Sequence, residues 1–254
     1  MMCGKVEAGR RADASVDAEE VNRFVARADA WWELGGSFQA LHRFNPARLA
    51  FIRSQFSAHF ARDPAALQPF AGLTLLDIGC GGGLVAEAMA RLGFAVTGID
   101  AGAEAIAAAR THADATGLRI DYRIAAAESL AAGGEQFHAV VALEVIEHVG
   151  DRQAFYGALG RLIRPDGALI AATLNRTAKS FVLAILGAEY ILAWLPRGSH
   201  DWHKFVRPSE LVLDLRRVGL RVTRLAGISL DLRTGDWQVS SDLAVNYLAA
   251  AVRR

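Results

Sequence analysis

The sequence predicts an α/β protein built on a doubly wound sheet, mostly parallel, with an antiparallel closing strand. Three observations carry this expectation. From Leu73 onward, short apolar runs alternate with stretches of helical character. The runs are continuously apolar, as expected of strands buried on both faces. The first of them ends in a glycine cluster, Gly79-Cys80-Gly81-Gly82-Gly83, where a strand turns into a helix. Strands that alternate with helices are joined by right-handed crossovers and therefore lie parallel.

Composition sets the outer bounds. The chain has 254 residues, of which 52% are hydrophobic and 22% charged, which fits one globular domain. Its 28 basic side chains nearly balance 27 acidic ones, so no electrostatic footprint for nucleic acid exists. Cys3 and Cys80 are its two cysteines and stand in unlike contexts, which argues against a disulfide framework and for a reducing compartment. Residues 1–15 mix charges and lack an apolar core, so they read as a disordered tail and not as a secretory signal. Residues 16–254 read as a single domain, with 16–70 forming a helical cap. No apolar run reaches the roughly 20 residues a membrane span requires.

Each element has a local reason. Asp17 with Glu20 makes a capping box, and Val21, Phe24, Val25 and Ala28 follow at helical spacing. Asn45-Pro46 is expected to start a second helix, with Leu49, Ile52 and Phe56 on its apolar face and Asp63-Pro64 beyond its end. Strands are predicted at 73–78, 94–99, 119–124, 138–143 and 168–173. Helices are predicted at 84–92, 103–115 and 152–163, with the turn Arg164-Pro165-Asp166-Gly167 after the last. A helix over 209–218 and a hairpin-like pair of strands, 220–226 and 243–252, close the domain.

The first strand-to-helix loop is where open parallel sheets bind ligands. It reads Asp77-Ile78-Gly79-Cys80-Gly81-Gly82-Gly83, an acid followed by alternate glycines. A dinucleotide fingerprint fails here, because Leu84 and Ala86 stand where its last glycine would be. Pyrophosphate favours a helix N-terminus free of carboxylates. S-adenosylmethionine has no phosphate and carries an ammonium and a sulfonium, so Asp77 favours it. Gly79 and Gly81 let backbone approach the ligand. Asp100, ending the second strand, suits a ribose diol. Glu128, after the third strand, lies near the expected adenine. A tight turn capped by Asp77 is the simpler reading of the loop alone, but the strand order and the Asp100 spacing agree with a binding site.

These features resemble the class I S-adenosylmethionine-dependent methyltransferases, with their Rossmann-like sheet. Further segments resemble one family among them, the ubiquinone biosynthesis O-methyltransferases: Trp31-Trp32-Glu33-Leu34, Leu41-His42-Arg43-Phe44-Asn45-Pro46-Ala47-Arg48, Glu144-Val145-Ile146-Glu147-His148-Val149, Thr173-Leu174-Asn175-Arg176, Gly187-Ala188-Glu189-Tyr190-Ile191-Leu192 and Gly198-Ser199-His200-Asp201. The resemblance runs from about Val16 to the end. It implies that Arg48, Gly79, Asp100 and Leu143 contact the cofactor, Leu143 standing where the family often has Met. It also implies methylation of phenolic hydroxyls on polyprenyl catechol intermediates and on demethylubiquinol.

Glu144, Glu147 and His148 follow the fourth strand. If the chain turns helical there, their spacing puts all three on one face. Two carboxylates and an imidazole can bind a divalent cation, and the resemblance implies Mg2+ at these positions, although histidine suits zinc, iron or manganese better. A phenol of pKa about 10 costs roughly 4 kcal/mol to ionise at pH 7. A metal would lower that cost; alternatively Glu144 or His148 takes the proton as a general base. A purely structural cluster is the remaining reading.

Residues 174–207 exceed what a minimal sheet needs. Phe181–Leu186 and Tyr190–Leu195 are apolar on every side, with Arg176, Lys179, Arg197 and Lys204 around them and Trp194 and Trp202 near by. The segment reads either as a buried lid or as a surface that docks on lipid. A polyprenyl acceptor favours docking, hence a peripheral enzyme on the cytoplasmic face of the inner membrane, with other quinone-biosynthesis enzymes as candidate partners. His200 and His203 read as surface or lid residues, and Cys80 as a small loop residue without an activating base. Two alternatives remain in view: an O-methyltransferase for another small hydroxylated acceptor, and a noncatalytic lipid- or cofactor-binding protein of quinone assembly.

Overall fold

The computed structural model describes Trp32, residues 39–182 and residues 201–253. The expected tail, the helix after Asp17 and most of the apolar insertion, including Glu189, Trp194 and His200, lie outside the described residues.

The described chain forms an eight-stranded sheet in the order β3-β2-β1-β4-β5-β8-β6-β7. Its first five strands are β1 (Thr74–Ile78), β2 (Ala95–Asp100), β3 (Asp121–Ile124), β4 (Phe137–Leu143) and β5 (Ile163–Leu174), and all neighbouring pairs among them are parallel. β6 (Leu220–Leu230), β7 (Trp237–Ser240) and β8 (Asn246–Arg253) complete the sheet, with β8 inserted antiparallel between β5 and β6. The helices are α1 (Gln39–His59), α2 (Leu84–Arg91), α3 (Ala103–Ala115), α4 (Ala127–Ala132), α5 (Arg152–Leu162) and α6 (Pro208–Arg217).

Strand alternation divides the core in two. Leu75, Val141 and Ile170 pack with Phe51, Ile52 and Phe56 of α1 and with α2 and α3. Their chain neighbours Leu76, Val140 and Leu169 point the other way, onto α4, α5 and α6. This is why the strands read as unbroken apolar runs: successive side chains serve opposite layers, and both layers are dry.

Three expectations change. The helix expected to begin at Asn45-Pro46 begins at Gln39 and carries Pro46 within it. An interior proline costs about 3 kcal/mol, while each large apolar side chain fully buried returns roughly 1.5–3 kcal/mol; Phe51, Ile52 and Phe56 are all buried. The Arg164–Gly167 turn becomes part of β5, whose register against β4 shifts between Phe137 and Ala139; Asp166 takes φ +62° there. The last strands do pair antiparallel, Ala226 opposite Leu248. They are not a simple hairpin, because β7 lies between them in sequence and pairs with the outer edge of β6, Leu230 opposite Trp237. The sequence reading had no place for β7 or α4.

The insertion leaves and returns at one place. Thr177 caps the helical turn Ala178–Ser180. Trp202 donates its indole N–H to the Thr177 carbonyl at 3.0 Å, and Arg176 pairs with Glu210.

Candidate active site

In this strand order the chain steps outward from β1 to β2 and β3 on one side and from β4 to β5 on the other. The loops after β1 and β4 therefore part at a topological switch point, where open sheets hold ligands. Both loops are chemically loaded, one with glycines and the other with Glu144, Glu147 and His148.

Glycine is required in the first loop for a stated reason. Gly79 sits at φ +68°, and a Cβ there would collide with the Val145 side chain. The two loops are thus in contact through a missing side chain. Gly79 and Cys80 donate their amides to the Ile99 carbonyl at 2.8 and 3.0 Å, which ties the loop to β2. Asp100 fixes it from the other side: Gly81 N–H donates to Oδ2 at 3.0 Å and Gly102 N–H to Oδ1 at 2.8 Å. Each carboxylate oxygen keeps a second lone pair for a ligand hydroxyl.

Asp77 ends β1 and is buried, with Oδ2 lacking any protein partner. Burial pushes its carboxyl up to about 7, Asp100 adds to that, and the Ala86 amide and the Arg48 charge oppose it. Burial likewise raises Asp100, against the pull of the Gly102, Gly81 and Ala101 amides. The Cys80 thiol is pushed well up by burial and by both aspartates, which removes it as a nucleophile.

Arg48 reaches the site from α1. It is 3% exposed, lies 4.6 Å from the centre of the Phe44 ring, and pairs with Glu144. Its Nε has no partner. Leu143, half-buried, ends β4 beside this pair. Glu128 stands in the first turn of α4, buried, with both carboxylate oxygens unpartnered.

The Glu144-Glu147-His148 reading needs correction. Glu144 adopts φ +54°, a left-handed conformation, and its amide bonds the Ala172 carbonyl at 2.9 Å. Helical structure begins only at Ile146 and is a single 3-10 turn, Ile146–His148, so the common helical face does not form. Glu147 points inward instead. It is 2% exposed and its Oε2 accepts a hydrogen bond from Thr173 Oγ1 at 2.7 Å. Burial pushes its carboxyl up to about 7, the Thr173 bond opposes this, and the Glu144 charge adds to it. Among the described residues no group of three His, Cys, Asp or Glu side chains is placed to hold a metal ion. Glu144 turns to Arg48 and Glu147 to Thr173, so the structure does not bring the three residues together around one point as a Mg2+ site.

Two site residues went unassigned at the sequence level. Thr173, the partner of Glu147, showed as the end of a strand and within a segment that carries the family resemblance, but with no role attached to it. Trp32 donates its indole N–H to the Gly82 carbonyl at 3.0 Å and stacks on His112, with ring centres 3.4 Å apart. The Trp31-Trp32 pair was its signal, but nothing local says what a tryptophan so far upstream will touch.

Residues 76–171 match the model of a methyltransferase domain. A relative from Paramagnetospirillum magneticum, a ubiquinone biosynthesis O-methyltransferase, is 52% identical over 92% of this chain and 94% of its own. A second of the same name, from Parvibaculum lavamentivorans, is 49% identical over 97% of each chain. Among solved structures, magnesium protoporphyrin IX methyltransferase from Synechocystis PCC 6803 superposes with a TM-score of 0.62 at 15% identity, covering 95% of this chain and 99% of that one. That likeness confirms the fold. The sequence relatives confirm more: this chain belongs to the ubiquinone biosynthesis O-methyltransferases.

Proposed function

We propose that the chain binds S-adenosylmethionine at the β1–β4 switch point and methylates phenolic hydroxyls of polyprenyl catechols and of demethylubiquinol. The supporting observation is a set of buried polar atoms without partners: Asp77 Oδ2, Arg48 Nε and both oxygens of Glu128. Buried polar groups are nearly always satisfied. These orphans offer a carboxylate for an ammonium, a guanidinium for a carboxylate, and a second carboxylate for an exocyclic amine. S-adenosylmethionine presents those three groups, and Asp100 is placed for its ribose. Leu143 supplies apolar packing beside them, and Gly79 and Gly81 keep side chains out of the way.

Bound S-adenosylmethionine supplies a methyl group activated by the sulfonium. The protein's task is to hold the acceptor oxygen about 3 Å from that carbon and in line with the departing sulfur. Glu144 or His148 takes the phenolic proton. The oxygen lone pair forms the new O–C bond, and the S–C bond breaks with its electrons left on sulfur. No step needs a metal.

No helix among the described residues is long and apolar enough to cross a membrane. We place the enzyme peripherally on the cytoplasmic face of the inner membrane, held through the insertion. At its root Phe181 and Val182 are 42% and 51% exposed, and the sequence beyond them stays apolar. The acceptor's polyprenyl tail, which dissolves in lipid, supports the same placement. Other quinone-biosynthesis enzymes would meet it there.

The test is transfer of labelled methyl from S-adenosylmethionine to a polyprenyl catechol in liposomes, with and without chelator. Transfer that persists in chelator is expected. Transfer abolished by chelator and restored by Mg2+ would overturn the metal-free step, and no transfer by protein that binds the cofactor would overturn the acceptor.

A further inference from the structure

Arg48 poses a problem that Glu144 solves. The guanidinium is carried in from α1, its side chain is 4% exposed, and its charge is felt by Asp77. A buried cation without a counter-ion is costly. In the structure the counter-ion is the Glu144 carboxylate. Yet Nε remains unpartnered, so this single pairing does not use the whole donor fork.

The two partners are unequal. The Glu144 side chain is 34% exposed against 4% for Arg48, so Glu144 has water to retreat into and Arg48 has none. Glu144 also stands on a left-handed backbone, φ +54°, immediately after β4, where no helix or strand fixes its side chain. The amino-acid end of the donor carries a carboxylate of its own. With Asp77 committed to the ammonium, the buried cation within reach of Asp77 is Arg48.

We infer that Glu144 holds the place of the donor's carboxylate on Arg48 before the donor binds, and that donor binding displaces it toward the acceptor. This rests on the donor-site reading above and adds a coupling to it. Two carboxylates compete for one guanidinium, and the exposed one yields. Released from Arg48, Glu144 becomes an unpaired carboxylate beside the acceptor, free to take the phenolic proton. The base is therefore armed only when a methyl group is present, and binding is ordered with the donor first.

Competition of this kind has a signature that a structural role lacks. Glu144→Gln removes the competing charge while keeping side-chain length. It should bind S-adenosylhomocysteine more tightly, by about fivefold or more if the coupling lies in the usual range, while methyl transfer falls. Its affinity for 5′-methylthioadenosine, which lacks the amino-acid end, should not change. Titration calorimetry of the full chain reads both. Glu144→Asn, better suited to a left-handed backbone, serves as a second variant should the first fold poorly. Unchanged or weakened affinity for S-adenosylhomocysteine in the folded variants would overturn the inference alone. Equal tightening of both ligands would also overturn it, since the gain would not come from the carboxylate. Wild-type protein that binds neither ligand would overturn the donor-site reading as well.

Discussion

The loops after β1 and β4 leave adjacent strands at the same sheet edge, touch through Gly79 and Val145, and yet differ in how far their sequences foretell them. The glycine loop is shaped by backbone. Its positive φ values at Gly79, Gly81 and Gly83 need glycine, and its amides go to Ile99 and Asp100, groups whose positions follow from strand pairing. The loop after β4 is shaped by side chains from elsewhere: Arg48 from a helix 96 residues upstream and Thr173 from β5. Backbone constraints are written in residue type and spacing. Long-range side-chain pairing is not.

The largest effect that would test this contrast is at Gly79. Gly79→Ala adds a methyl group where Val145 already lies and where φ +68° disfavours any L side chain. The left-handed conformation alone costs roughly 1–2 kcal/mol, and the collision adds to it. Thermal unfolding should shift down, and cofactor affinity should fall with it, since the loop must move off the ligand. Calorimetry checks both. Retained affinity would mean that the contact between the loops is slack and that each can be understood alone.

The second test concerns Asp77, where the glycine loop's function opposes its stability. Asp77 is pushed up to about 7 in the folded protein from an ordinary 3.8, mainly by burial. Its folded pKa is raised, so the folded state holds a proton that the unfolded state has lost between those values. Stability therefore falls as pH rises from about 3.8 to about 7, and the full cost is present above 7. Asp77→Asn should stabilise the empty protein at pH 8 and leave it nearly unchanged at pH 4. The same variant should bind S-adenosylmethionine about tenfold or more weakly at pH 8, having lost its charge for the ammonium. Wild-type affinity should itself rise with pH up to about 7, as the carboxyl ionises. Urea titrations and isotherms at the two pH values measure both halves.

The same division explains what the sequence disclosed about the fold. Strands β1, β2 and β4, and helix α3, were legible almost to the residue, because both cores bury continuous apolar runs and alanine-rich helices. The places of Asp77, Gly79, Gly81, Asp100 and Glu128 at or after strand ends were legible, because the strand order brings those ends to one edge. The start of α1 was not, because Pro46 is a local signal overridden by the burial of Phe51, Ile52 and Phe56. β7 was not, because it is four residues long and stabilised by pairing with β6 and by Trp237 against Phe44, with ring centres 5.5 Å apart. The Glu144–His148 face was not, because one left-handed residue breaks the helical spacing on which it depended.

Thr173 offers the smallest and most specific test of the second loop. Its hydroxyl donates to Glu147 Oε2 at 2.7 Å inside the protein, and Glu147 Oε1 already lacks a partner. Thr173→Val keeps the shape and removes the donor, leaving a buried carboxyl short of a hydrogen bond, at a cost of about 1–3 kcal/mol. The pH dependence tells which form of Glu147 the bond serves. Glu147 is raised to about 7 from 4.5, so wild-type stability falls as pH rises through that window and is flat above it. The Thr173 bond pulls that value down, because it favours the ionised form. Without it the carboxyl rises further, and the variant's deficit should be larger at pH 8 than at pH 5. Equal deficits in urea unfolding at the two pH values would mean that the bond is made to a carboxyl that stays protonated. The loop's position would then rest on the burial of Ile146 against the sheet, and Glu144 would owe its placement to packing as fully as Gly79 owes its own to backbone.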